Sequence, residues 1–358
     1  MDRLCLRLAL ICIGWLAAPL AVSEPIDLSN TRGMQEMVVS VKDLHGTAQL
    51  YQQVAGWQVV HAAVADPAQV DFWGLNPSVV VQQILLGNPG APTGLLRLVK
   101  FIGIDQVRIR SSARPFDTGG IFNINALVKD MPSSFEALRD AGFQGFSDPN
   151  YYDIFGKRYG GAMLRGHDDV VINLLERVNG SYEDQPAFQV MSNINNATQV
   201  VTNYARAYDF FTTQLGWGVR WEASPEWAAD GANNMSLPNS LLVAGVVKER
   251  AASFHMDPEL AGGSIEIFAF EGISGVDFSA RAAPPNLGVV MYGIHVGGLC
   301  DYLAEIRTRG VLPVRGPARF RLAPYGDVMA AVVQAPDGAW LQFFDQKNKD
   351  LECSVPKS

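Results

Sequence analysis

MVVSVKDLHGTAQLYQQVAGW, residues Met37–Trp57, reads as a strand, a helix and a Gly-Trp turn. Met37–Val41 is a short β-branched run, and Asp43 stands where a helix N-cap is expected. Degraded copies of the pattern return three times: IFNINALVKDMPSSFEALRDAGF from Ile121, a stretch ending NATQVVTNYARAYDFFTTQLGW at Trp217, and VVMYGIHVGGLCDYLAEIRTRGV from Val289. Their cap positions are Asp130, Asn203 and Gly298, and their closing glycines are Gly142, Gly216 and Gly310. From cap to glycine the four copies measure 13, 12, 13 and 12 residues (43 to 56, 130 to 142, 203 to 216, 298 to 310). Copies one and three end in Gly-Trp and the others do not, so the repeating unit is a pair. A repeat of roughly 85 residues is too long for a solenoid turn of about 20–50 and suits a βαβββ half-domain.

This pattern, with the later Pro336-Asp337-Gly338 turn before a strand, resembles the glyoxalase-like vicinal oxygen chelate superfamily, over about residues 34–346. The resemblance implies an α+β fold of four βαβββ units paired into two modules, each around a U-shaped cleft. Read in chain order, the units at 34–103 and 119–177 would form module one. Those at 187–272 and 287–346 would form module two, with residues 178–186 as linker and 347–358 as tail. The superfamily hosts lyases, isomerases, ring-cleaving dioxygenases and drug binders, so fold alone does not name the activity.

Composition narrows the partners. A net charge of −8 and a pI near 5.2, with no basic run, argue against a nucleic-acid surface and leave small apolar or neutral ligands open. Residues 1–23 read as a signal peptide: Arg3 and Arg7 precede an apolar run, Leu8–Val22, that ends in small residues and is short for a membrane span. Export to a periplasmic or extracellular space follows, with no span left after cleavage. Cys300 and Cys353 then sit in an oxidising compartment, where they pair or stay buried and free; a catalytic thiol at Cys300 would need an activating neighbour. Asn179, Asn196 and Asn234 begin glycosylation triplets.

In the superfamily four positions per module can hold a divalent metal. Carried onto this chain they are Glu36, Arg97, Asn123 and Asn173 in module one, and Asn196, Glu266, Met291 and Gln342 in module two. Neither set has a histidine. A cation at Arg97 would repel a metal and pair with Glu36. One carboxylate with amides in module two could hold at most a hard divalent ion weakly, and the Met291 thioether is a poor ligand for it. The expectation is therefore no metal and no other cofactor. Glu266 becomes the candidate acid or base, with His295, on the same predicted strand face as Met291, or His255 assisting; an interior hydrogen-bonded histidine is the alternative for His295. Asn196 and Gln342 would orient substrate oxygens, and Tyr325, Tyr151 and Tyr152 are candidate ligand contacts. The expected protein is an exported acid–base enzyme of lyase or isomerase type on a small apolar or aromatic molecule, or else a binding protein for one, or a metal-dependent lyase or dioxygenase. Two modules in one chain allow a monomer or a homodimer.

Overall fold

The computed structural model describes residues 26, 28, 31, 33–112, 114–154, 156–223, 247–257, 259, 263–346 and 353. The expected leader, Asn234 and most of the tail lie outside them. Unit one is β1 (Gly33–Ser40), α1 (Leu44–Ala55), β2 (Gln58–Val64), α2 (Pro67–Phe72), β3 (Val80–Gly87) and β4 (Leu95–Ile102). Unit two is β5 (Asn123–Val128), α3 (Met131–Asp140), β6 (Gln144–Gly145), β7 (Asn150–Ile154), β8 (Lys157–Arg165) and β9 (Val171–Arg177). Unit three is β10 (Met191–Val200), α4 (Tyr204–Asp209), β11 (Gly218–Ala223), β12 (Lys248–His255) and β13 (Ser264–Glu271). Unit four is β14 (Gly288–His295), α5 (Leu299–Thr308), β15 (Arg315–Leu322), β16 (Gly326–Gln334) and β17 (Trp340–Asp345).

The repeat signature has a physical basis at each position. Asp43, Asp130 and Asn203 accept from the backbone N–H three residues on, satisfying donors that a helix start leaves unpaired. Gly298 has no side chain to do this, and Asp345 of β17 takes its place, accepting from the Gly298 and Leu299 N–H groups at 2.7 and 3.3 Å. The closing glycines all adopt positive φ, between 73° and 92°. The Gly-Trp endings mark contacts between units: Trp57 donates to the Met191 and Ser192 carbonyls of β10, and Trp217 to the Tyr302 hydroxyl of α5.

Sheet pairing corrects the expected modules. Unit one joins unit four in an eight-stranded sheet, β15-β16-β17-β14-β1-β4-β3-β2; unit two joins unit three in a nine-stranded sheet, β11-β12-β13-β10-β5-β9-β8-β6, with β7 on β8. The connections explain this. Residues 178–186 are a short turn tied to the sheet by Tyr182, whose hydroxyl donates to the Val128 carbonyl, so units two and three stay together. The longer segments after β4 and after β13 cross between the sheets side by side, bridged at Arg108–Leu287 and Thr118–Asp277. Buried Arg110 ties the first crossover down through the Gly119 and Asp117 carbonyls.

One continuous core joins the outer faces of both sheets through α1, α3, α4 and α5, including Met37, Ile124, Phe135, Phe211, Tyr292 and Leu303. The inner faces differ. That of the unit one–four sheet is filled by Leu28, Phe72, Trp73, Phe320, Tyr325 and Phe344. That of the unit two–three sheet holds only a small apolar cluster around Phe122, Met163 and Phe268. Cys300 and Cys353 form a disulfide that pins residue 353 to α5.

Candidate functional site

Because strands alternate sides, β5 sends Ile124 and Ala126 to the core and Asn123, Asn125 and Leu127 to the inner face. On β9, likewise, Ile172 and Leu174 are core residues and Asn173 faces inward. Register then aligns two rows across the inner face. In one, Asn173, Asn125, Asn196 and Ser264 stand abreast on β9, β5, β10 and β13. In the other, Asn123, Thr198, Glu266 and Ser253 stand abreast on β5, β10, β13 and β12.

Glu266 is the centre of this face. One carboxylate oxygen accepts from Asn196 Nδ2 at 2.5 Å, and the other from Thr198 Oγ1 at 2.9 Å and Asn125 Nδ2 at 3.0 Å. Asn123 Nδ2 donates in turn to Asn125 Oδ1. Burial pushes the Glu266 carboxyl up from 4.5 to about 7, against the opposing pull of those hydrogen bonds and of the Arg220 charge. Above it lies a cavity of about 250 Å³ walled by Tyr152, Tyr159, Met163, Trp221 and Phe268, with Asn173, Asn195, Asn196 and Arg220 also exposed to it. Tyr152 and Tyr159 stack at 6.3 Å.

The equivalent cleft between units one and four is occupied by the chain itself. Arg97 and Glu36 form a buried bidentate pair at 2.6 and 2.8 Å; Tyr325 donates to Glu36 at 2.8 Å, and Arg97 donates to Gln83 at 3.0 Å. Trp73, at the end of α2, donates to Gln342 Oε1 at 2.8 Å. The segment containing α2, unmarked in the repeat pattern, closes this cleft by packing against β15 through Phe72 and Phe320.

The eight carried-over positions therefore redistribute. Asn123, Asn173, Asn196 and Glu266 share the open cleft; Glu36, Arg97, Met291 and Gln342 share the filled one. The expected sets, each drawn from neighbouring units in the chain, mixed the two clefts because the chain crosses between sheets after units one and three. His295 does not meet Glu266: it lies on β14 in the other sheet, its Nδ1 at 2.5 Å from the Thr31 carbonyl and its Nε2 at 3.9 Å from Asp345. This is the interior hydrogen-bonded reading. His255 ends β12 opposite Gly218, on the inner-face parity of Ser253, but is not among the cavity walls. Tyr325 is core to the filled cleft, whereas Tyr152 does line the open one. Asn196 is buried and so cannot serve as a glycosylation acceptor; Asn179 is exposed.

Asn125, Thr198, Tyr159 and Arg220 were not singled out from sequence. For Asn125 and Thr198 a signal existed: polar residues at period two beside Asn123 and Asn196 in otherwise apolar strands.

A divalent metal at the superfamily positions fits neither cleft well. In the filled one Glu36 is consumed by Arg97 and Tyr325. In the open one the single carboxylate already accepts three hydrogen bonds and the other donors are neutral amide oxygens, with no imidazole or thiolate for a borderline metal. Among the described residues no three His, Cys, Asp or Glu side chains gather.

No family model and no curated protein matches the sequence. Solved structures do match. Glyoxalase I from Zea mays superposes with a TM-score of 0.58 at 14% identity, covering 88% of this chain and 92% of that one. A putative dioxygenase from Bacillus subtilis gives 0.53 at 11% identity, covering 90% and 86%. Identities this low speak for architecture alone. That architecture, shared over most of the length of both comparison proteins, is a glyoxalase-like fold.

Proposed function

We propose that the protein is an enzyme that moves a proton on a small apolar or aromatic molecule in the unit two–three cleft, with Glu266 as acid and base. The observation that carries this is a buried carboxyl, raised to about 7, facing a cavity with aromatic walls. A group poised near neutral pH is populated in both protonation states, which general acid–base catalysis needs. In an isomerisation Glu266 takes the proton from one substrate atom and returns it to another. In an elimination it takes the proton as the leaving group departs. Asn125, Asn196 and Thr198 fix the carboxyl plane, and their donors stabilise its charged form. The apolar walls limit water.

Glu266→Gln keeps the shape and removes the titration. It should abolish turnover while ligand affinity stays within a few fold; unchanged turnover would remove Glu266 from the mechanism. The second reading, a protein that binds or sequesters such a molecule, draws support from the separation of Glu266 from both candidate histidines. It predicts the same affinity and no turnover in either form. Export fits the Cys300–Cys353 bridge, since disulfides persist in oxidising compartments. Among the described residues no helix is long and apolar enough to cross a membrane.

A further inference from the structure

Filling of the unit one–four cleft stops short of its rim, where His61, Gln83 and Arg321 line a cavity of about 370 Å³ among small apolar residues such as Ala63, Ala65 and Pro324. His61 reaches this cavity through a β-bulge. Val59 pairs with Leu86, and strict alternation would then set His61 against Ile84, on the core side of the sheet. The extra residue Val60 sets it against Leu85 instead, on the inner face. Unit three carries the matching bulge: Arg220 follows Trp217 as Val60 follows Trp57, and Trp221 is turned to the open cavity as His61 is to this one. The device that furnishes the open cleft is thus kept in the filled one. β2 and β15 are the two edges of the eight-stranded sheet, and its curl brings His61 and Arg321 to one cavity. Neither the His61 ring nor the Arg321 guanidinium makes a hydrogen bond or ion pair among the described residues. The one acid in the lining, Asp66, accepts from the Ala68 and Arg321 backbone N–H groups at 2.9 and 3.0 Å, and buried Glu36 is paired with Arg97. The rim is therefore basic in a chain of net charge −8. Burial, then the charges of Arg97 and Arg321, hold the His61 imidazole below its ordinary value.

We propose that this rim is a second ligand site, separate from the Glu266 cleft, and that it takes a small aliphatic carboxylate, with the carboxylate between His61 and Arg321 and the alkyl chain against Ala63, Ala65 and Pro324. An anion supplies the partner that both basic groups lack, and a guanidinium matches a planar carboxylate. The lining selects the body of the ligand: a phosphate would set unpaired oxygens against alanine and proline, whereas an alkyl chain would not. A bound carboxylate stabilises the charged imidazole, so binding and protonation of His61 reinforce one another. The charged groups that face His61 are Arg97 from β4, Arg321 from β15 and Asp66 ahead of α2, with neutral Gln83 from β3. Binding therefore strengthens as pH falls through the His61 titration.

Histidine-ring NMR of the full protein, with the His61 signal assigned from its absence in His61→Gln, tests this with butyrate, butyramide and phosphate at constant ionic strength in chloride. Butyrate should shift the signal saturably and raise the His61 midpoint by at least about half a pH unit. Butyramide, of nearly the same shape, should leave it unmoved. Arg321→Met should weaken butyrate binding at least about tenfold. Arg321 is exposed, so the variant keeps the fold, and its His61 midpoint without ligand should rise because a repelling charge is gone. A signal that ignores butyrate, one that follows butyramide equally, tighter binding of phosphate than of butyrate, or butyrate binding unchanged in Arg321→Met would each overturn the proposal. None of these measurements involves Glu266, and the Glu266→Gln protein should bind butyrate at the rim as wild type does.

Discussion

The buried carboxyl of Glu266 makes a prediction about stability that needs no substrate. Its pKa rises from 4.5 in the open chain to about 7 in the fold. Below pH 4.5 both states hold the proton and the group has no effect. Between 4.5 and about 7 the unfolded chain loses the proton while the folded protein keeps it, so stability falls as pH rises. Above about 7 the loss is complete, and the shift converts to about 3 kcal/mol at about 1.4 kcal/mol per unit. Glu249, buried on β12 and raised by burial to about 8, adds a loss of the same sign. The wild-type curve therefore mixes the two, and the Glu266→Gln variant is needed to separate them. The amide introduced by that substitution turns a donor toward Asn125 or Asn196, a cost that does not vary with pH and so shifts the whole curve without changing its slope. Urea denaturation of both proteins from about pH 4 to about pH 9 should show the stability of the variant, relative to wild type, climbing by about 3 kcal/mol between pH 4.5 and about 7 and then levelling. A difference that stays flat would mean that Glu266 ionises as an ordinary exposed carboxyl, and the acid–base reading would lose its basis.

Other consequences follow from the filled cleft and the bridge. Arg97→Met leaves Glu36 buried with its main partner gone, which should cost about 3–5 kcal/mol; adding Glu36→Gln should recover most of it, as urea midpoints would show. Cys300→Ser opens a loop with a sequence separation of 53 residues, and chain entropy puts the loss at about 4 kcal/mol. Reduced wild type and the variant should then unfold at the same urea concentration, and a variant as stable as the oxidised protein would show that the bridge constrains nothing in the unfolded chain.

The fold was legible because its markers are local. A cap, a closing glycine and the spacing between them are each fixed by the backbone chemistry of one helix, and they survive where the rest of the repeat has drifted. Even Gly298, which lacks the capping side chain, kept its place in the count because Asp345 supplies the missing acceptor from another strand. Pairing between units was not legible, since it depends on where the connections run. Neither crossover segment carries a periodicity that says which sheet it leads to. Glu266 could be found from its alignment alone, whereas His295 looked equally good because strand parity places it on an inner face without saying which sheet owns that face.

Once the units are paired as the sheets pair them, the two clefts explain one another. Both derive from the same four positions, and both bury a glutamate there. In one, Glu36 is neutralised by Arg97, capped by Tyr325 and covered by Trp73, so its charge is compensated and no space remains. In the other, Glu266 has, among the described residues, only neutral donors and no contact ion, and aromatic walls stand back to leave a cavity. A buried carboxylate that the fold leaves short of compensation is pushed up toward neutrality, as Glu266 is. The difference that decides the charge is thus a guanidinium against an amide as the partner of the buried glutamate: Arg97 beside Glu36 and Asn196 beside Glu266, each pair on adjacent parallel strands at the same register. The Asn196→Arg variant, which sets a guanidinium at the existing contact with the carboxylate, should accordingly pull the Glu266 carboxyl down toward the ordinary carboxylate range and silence the open cleft. A pH–stability profile that loses its fall between 4.5 and about 7 would be the sign of it.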